Sequence, residues 1–205
     1  TYRSTTYMPK LYTSSIPFKH GMLPVSDGHW LYYEQSGNPN GIPVLFIHGG
    51  PGAGLSDDYT RMFDTSMYHI IAYEQRGCGR STPFASLAHN TTAHLLADIT
   101  VLREHLQIPK WIIFGGSWGA TLGLLAAINE PQTVKGLILR GVFLGRQQDI
   151  EWYICPHGGA AQMYPEHYET FVQDIPPLTE ASDICDAFFE LFNQICISIL
   201  NQTLL

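Results

Sequence analysis

The run Trp111-Ile112-Ile113-Phe114-Gly115-Gly116-Ser117-Trp118-Gly119-Ala120 constrains the fold more than any other stretch of the chain. Its four leading apolar residues predict a buried strand. Thr121 to Ile128 then reads as a helix, which Asn129-Glu130-Pro131 brings to a stop. Between them lies Gly115-Gly116-Ser117-Trp118-Gly119, a G-x-S-x-G pattern with a strand before it and a helix after it. A turn this sharp strains the serine backbone and needs flanking residues without a Cβ. It lifts a hydroxyl clear of a sheet, and the helix behind it aims N–H groups and a positive dipole end at any oxyanion formed there. Ser117 is therefore a candidate nucleophile. A purely structural glycine turn is the plainer alternative.

The rest of the chain repeats the same alternation. His29 to Glu34 reads as a strand, closed by the turn-rich Gly37-Asn38-Pro39-Asn40-Gly41. Pro43-Val44-Leu45-Phe46-Ile47 is a continuous apolar run, as in a strand buried on both faces of a parallel sheet. His48-Gly49-Gly50-Pro51-Gly52 ends it. Met67 to Tyr73 is another strand, followed by Glu74-Gln75-Arg76-Gly77-Cys78-Gly79-Arg80-Ser81. Thr91 to Leu106 predicts an amphipathic helix with Leu95, Leu96, Ile99, Leu102 and Leu106 on one face, and Lys135 to Arg140 a last short strand. Strands alternating with helices in this way imply an α/β fold built on a mostly parallel sheet. Residues 1–20 show no clear period and are expected to lie along the surface.

After Arg140 the character changes. Residues 147–175 are rich in Trp, Tyr, His and Gln, and Pro176-Pro177 interrupts them. Ala181 to Leu205 reads as a helix with Ile184, Phe188, Leu191, Ile195 and Ile199 on one stripe, which Phe189, Phe192, Ile197 and Leu200 widen almost all the way round. Such an apolar end calls for a covering surface. The expected organisation is a core over residues 1–145 and the start of a helical cap over residues 146–205.

Composition excludes several classes of function. A formal net charge of -7 speaks against nucleic-acid binding, which wants clustered Lys and Arg. No run approaches the ~18 apolar residues of a membrane span, and Thr1 to Lys10 lacks the apolar core of a secretion signal. Cys78, Cys155, Cys185 and Cys196 have no C-x-x-C spacing, so reduced thiols in a cytoplasmic protein are expected. Cys155-Pro156-His157 has no second pair to complete a metal site, and no Gly-Lys-Ser/Thr follows the glycine-rich loop to make it a phosphate cradle. No metal, cofactor, nucleic acid or membrane partner is expected.

An acyl-transfer serine needs oxyanion donors, a base and an acid to orient that base. Two donors suggest themselves. One is the backbone N–H of Trp118, directly after the serine; the other is that of Gly49 or Gly50, in the loop after an earlier strand. A tight loop with no chemical role is the alternative for His48 to Gly52.

His-Gly-Gly-Pro-Gly at 48–52, Gln-Arg-Gly-Cys-Gly-Arg-Ser at 75–81 and Gly-Gly-Ser-Trp-Gly at 115–119 together resemble the prolyl aminopeptidase (proline iminopeptidase) family of α/β-hydrolases. Asn90-Thr91-Thr92, Leu139 to Phe143 and Glu151-Trp152-Tyr153 fall in that family's order, and the likeness covers roughly residues 18 to 190. The resemblance implies that Ser117 attacks the bond after an N-terminal proline of a peptide substrate. It also implies that Phe143 and Tyr153 help to shape the pocket for the pyrrolidine ring, although both could equally be ordinary packing under a cap. Glu74 departs from the family's usual Asp and is expected to be structural, with Arg76 and Arg80 fixing the loop. The sharper departure is in the triad, which in this fold runs Ser, then Asp or Glu, then His. Only His157 and His167 follow Ser117, both in the cap-like region, and no strand-then-Asp or strand-then-His pattern occurs between Gly141 and Leu205. The chain thus reads as the first two-thirds of an enzyme, inactive as written, with its Asp and His expected beyond residue 205. An esterase or other acyl hydrolase on the same scaffold, or a non-catalytic truncated binding protein, are the competing readings.

Overall fold

A computed structural model describes residues 11–203, with side chains through Gln194. The chain divides into two units, the first ending at Phe143 and the second beginning at Leu144.

The first unit is an α/β layer structure around one six-stranded sheet. Its strands are β1 (Lys19–Pro24), β2 (Trp30–Gly37), β3 (Ile42–Ile47), β4 (Tyr68–Tyr73), β5 (Trp111–Gly116) and β6 (Val134–Arg140). They lie in the order β1-β2-β4-β3-β5-β6. β3 pairs in parallel with β4 and with β5, and β5 pairs in parallel with β6. The continuous apolar run at 44–47 explains the central place of β3, because side chains alternate across a strand and both faces must then be covered. Leu45 and Ile47 pack with Ile71 and Ile113 against helices α1 (Thr92–His105) and α2 (Trp118–Asn129), through Leu95, Ile99, Leu102 and Leu122. Val44 and Phe46 turn to the other face, where Ile70, Ala72 and Phe114 meet Tyr59 and Phe63 from the segment between β3 and β4. Phe46, Phe63 and Phe114 pack ring on ring there, with centroids 5.1–6.5 Å apart.

One expectation is corrected. Lys19 and His20, expected to end an aperiodic surface segment, are exposed but belong to β1, which runs on to Pro24 antiparallel to β2 with Leu23 opposite Leu31. β2 is in turn antiparallel to β4. β1 buries only Leu23, so its sequence has almost no periodicity to read; the ladder with β2 holds it in place. A 3-10 turn at Ser26–Gly28, with Asp27 at φ 59°, reverses the chain between the two strands.

The second unit contains the helices α3 (Gln147–Ile154), α4 (Gly159–Met163), α5 (Pro165–Val172) and α6 (Ala181–Thr203). Ala181 and Ile184 of α6 are buried, Phe188 and Leu191 half-buried, and Phe189 and Phe192 exposed. Phe188 stacks on Phe171 of α5 at 4.6 Å. Ile195, Ile197, Ile199 and Leu200, which the helical stripe includes, lie outside the described side chains. No described helix is long and apolar enough to cross a membrane.

Candidate active site

β5 runs into α2 through a single residue, Ser117, at φ 55° and ψ −124°. That is the mirror image of extended backbone, a region an L-residue enters only under strain. The two outer glycines of the motif make the turn possible. A Cβ on Gly115 would be driven into the carbonyl of Gly119. One on Gly119 would collide with the carbonyl of Ile47 and stand 2.9 Å from that of His48. The first turn of α2 thus lies directly on the end of β3. Gly116 is different, since its Cβ would meet only the Arg140 side chain, at 3.2 Å. The Ser117 N–H donates to the Arg140 carbonyl at 3.1 Å, which ties the turn to β6. Ser117 itself is exposed, and within the α/β unit no described side chain hydrogen-bonds its hydroxyl.

The loop after β3 comes to the same place. A Cβ on Gly49 would be 3.6 Å from that of Ser117 and 3.2 Å from the Gly116 carbonyl oxygen. Gly50, at φ 120°, would collide with the Gly52 N–H if it bore a side chain. A buried polar clamp holds this loop against the turn. Gln75 donates its backbone N–H to His48 Nε2 at 3.0 Å and its side-chain amide to the His48 carbonyl at 3.0 Å. Its Oε1 accepts from the Trp118 indole N–H at 3.0 Å. His48 Nε2 is an acceptor, so the proton of the neutral ring is on Nδ1, which donates to the Gly49 carbonyl at 2.9 Å. Burial holds the His48 pKa below its usual value, outweighing the Gly49 carbonyl and the Glu74 charge. Fixing the Gly49 carbonyl also fixes the Gly50 N–H, because both belong to one planar peptide.

The loop after β4 is held by two ion pairs, one fully buried and one with an exposed arginine over a buried carboxylate. Arg76 gives a two-pronged contact to Asp98 of α1 at 2.7 and 2.8 Å, and also donates to the His89 carbonyl and to Ser26 Oγ. Glu74 accepts from the Arg80 guanidinium at 3.1 Å, from the Arg80 backbone and from the Leu55 N–H. Burial alone would raise the Glu74 pKa, but these hydrogen bonds and the Arg80 charge hold it below the usual carboxylate value. Sequence reasoning missed Glu34 altogether. This buried carboxylate accepts from the Tyr59 and Tyr32 hydroxyls at 2.6 and 2.8 Å, beneath Arg80 at 3.5 Å. Burial, with Glu34 as hydrogen-bond partner, pushes the Tyr32 hydroxyl up to about 12. The only signal was a charge inside an otherwise aromatic strand.

Ser117, Trp118, Gly49 and Gly50 therefore share one corner of the α/β unit, at the carboxyl ends of β3 and β5. Phe143 ends that unit half-buried, with its carbonyl accepting from the Thr121 hydroxyl. Tyr153 lies in the helical unit, largely exposed on α3, where it lines an aromatic cleft of about 460 Å3 with Trp152, Tyr164 and His167. His157 is in that unit too.

A strained serine between a parallel strand and a helix, beside a glycine loop from the neighbouring strand, defines a class. A family model for the alpha/beta hydrolase fold matches residues 42–203, and the chain belongs to that family. Similar curated proteins include proline iminopeptidases. The proline iminopeptidase of Arabidopsis thaliana is 49% identical over 183 residues, which is 89% of this chain and 48% of the relative. That of Neisseria meningitidis serogroup A is 44% identical over 192 residues, 92% of this chain and 61% of the relative. Among solved structures, a proline iminopeptidase-related protein of Thermus thermophilus has 25% identity and a TM-score of 0.57, covering 78% of this chain and 57% of that one. An epoxide hydrolase from Vigna radiata, at 23% identity, TM-score 0.54 and coverage of 78% and 48%, shares the fold. The chain spans about half the length of the curated relatives it matches.

Proposed function

We propose that this chain is the nucleophile-bearing part of a serine peptidase that releases proline from the N-terminus of peptides. The observation that carries the reading is the strained Ser117 turn with Gly49 packed against it, in a chain 44–49% identical to proteins named proline iminopeptidases. In this reading Ser117 Oγ attacks the proline carbonyl carbon as its proton passes to a base. The oxyanion takes hydrogen bonds from the Trp118 N–H and from that of Gly49 or Gly50. The amine leaves with the transferred proton, and water then cleaves the prolyl ester to free proline and restore the serine. Phe143 and Tyr153 are proposed to border the pyrrolidine ring.

Among the described residues of the α/β unit, no base or orienting acid is bonded to Ser117. We place both in sequence beyond Leu205, so the 205-residue chain alone is expected to turn over proline arylamides at no useful rate. Free thiols at Cys78, Cys155 and Cys185 fit a cytoplasmic setting. The test compares a proline arylamide, an alanine arylamide and a short acyl ester as substrates of the full-length protein. Preference for the proline arylamide supports the reading. Preference for the ester would replace it with an acyl esterase on the same scaffold.

A further inference from the structure

Where the β1–β2 turn meets the start of α1, three metal-ligating side chains converge. Asp27, His89 and His94 each present one ligand atom, and the three atoms lie within 4.8 Å of one another. Asp27 Oδ1 is 3.8 Å from His89 Nδ1, and Oδ2 is 3.6 Å from His94 Nε2. Chain spacing hides this group, because Asp27 is some sixty residues from the histidines and neither histidine belongs to a recognisable ligand motif. The backbone that carries it is held from below. Arg76 donates to the His89 carbonyl at 2.9 Å and to Ser26 Oγ, next to Asp27, at 2.7 Å.

Two features favour an ion over a mere cluster of polar surface groups. The first is that the His94 ring is already oriented. Its Nδ1 sits 2.8 Å from Thr91 Oγ1 and accepts the Thr91 N–H at 3.4 Å, which leaves Nε2 to face Asp27 with the ring proton that an ion would displace on binding. The second is the spacing. A tetrahedral ion bonded at about 2.0–2.1 Å needs donors roughly 3.3 Å apart, and the three donor atoms lie within 4.8 Å of one another, so these exposed or half-exposed side chains must close by at most about 1.5 Å. One charge opposes the ion: the Arg76 guanidinium, 3.8 Å from Asp27 Oδ2. That charge is already matched by its two-pronged contact with Asp98, so the Asp27 carboxylate remains available.

We propose that Asp27, His89 and His94 form a binding site for a first-row divalent cation, with Zn(II) as occupant and water completing its coordination. Two imidazoles and one carboxylate are a borderline-soft donor set that suits Zn(II) and disfavours Mg(II) and Ca(II). The site is separate from Ser117 and does not depend on its proposed role.

The experiment is calorimetric titration of chelator-treated full-length protein with zinc chloride, alongside thermal unfolding. One equivalent should bind, and a hundredfold excess over the dissociation constant should raise Tm by roughly 5 °C. His89→Ala and His94→Ala should each weaken binding about tenfold or more, and the double variant should abolish it. His94→Gln separates ligation from helix capping, since it can still accept from Thr91; binding should weaken as much as in His94→Ala while Tm without metal stays near wild type. The proposal is overturned if no binding occurs up to about 1 mM zinc, well above the range of designed or natural sites. It is equally overturned if the bound equivalent survives the double variant, or if magnesium chloride gives the same shift in Tm.

Discussion

Replacing Ser117 by glycine should make the α/β unit more stable while removing the proposed nucleophile. Serine at φ 55° and ψ −124° occupies a region that costs a non-glycine residue about 1–3 kcal/mol. Glycine adopts that backbone freely, although its more flexible unfolded chain takes back about 0.5–1 kcal/mol. The lost side chain subtracts little, because Ser117 is exposed and its hydroxyl has no described partner within the α/β unit. The balance is a gain of about 1 kcal/mol, or roughly 2–4 °C in Tm for a chain of this size. Ser117→Ala keeps a Cβ in the strained position and should leave stability unchanged within about 0.5 kcal/mol. Urea unfolding followed by the fluorescence of buried Trp111 measures the difference, and equal m-values for the two variants keep the comparison sound. A Ser117→Gly variant no more stable than Ser117→Ala would refute the claim that the turn stores strain.

Two further substitutions test the supports of the site. Asp98→Ala leaves the fully buried Arg76 guanidinium with only the more distant Asp27, at 3.8 Å, as counter-charge and should cost about 3–5 kcal/mol in equilibrium unfolding; a loss under about 1 kcal/mol would show that the pair is not what holds the loop after β4. Gln75→Met keeps the volume but frees both His48 and the Trp118 indole, so in the full-length protein kcat should fall about tenfold or more with KM little changed. An unchanged kcat would mean that the clamp does not position the oxyanion donors.

Much of the core is legible from the residues themselves, for reasons visible at particular positions. Val44 to Ile47 have no polar face, so a strand made of them must be covered on both sides, and β3 is. Gly115 and Gly119 are spaced around a serine because a Cβ at either would strike backbone. β1 escaped because a ladder of backbone hydrogen bonds, with Leu23 as its one buried side chain, leaves no hydrophobic period. The partners of polar groups escaped for a related reason. Gln75 binds His48 and Trp118, and Glu34 binds Tyr59, across separations of 25 to 43 residues, and no local rule pairs side chains at such distances. The Asp27, His89 and His94 group is hidden in the same way. Position along the chain indicated which loops meet at the sheet edge, but not which side chains lock them together.

The proposed nucleophile of a proline-releasing peptidase is Ser117. Its reactivity can be probed by treating the full-length protein with a serine-reactive organophosphate and mapping the adduct by mass spectrometry while following proline arylamide hydrolysis. One label per chain is expected, on Ser117, with activity lost in proportion, and a Ser117→Ala variant that is unlabelled and at least about 10⁴-fold less active. Labelling at a different serine, or proline release that persists in Ser117→Ala, would contradict the proposal.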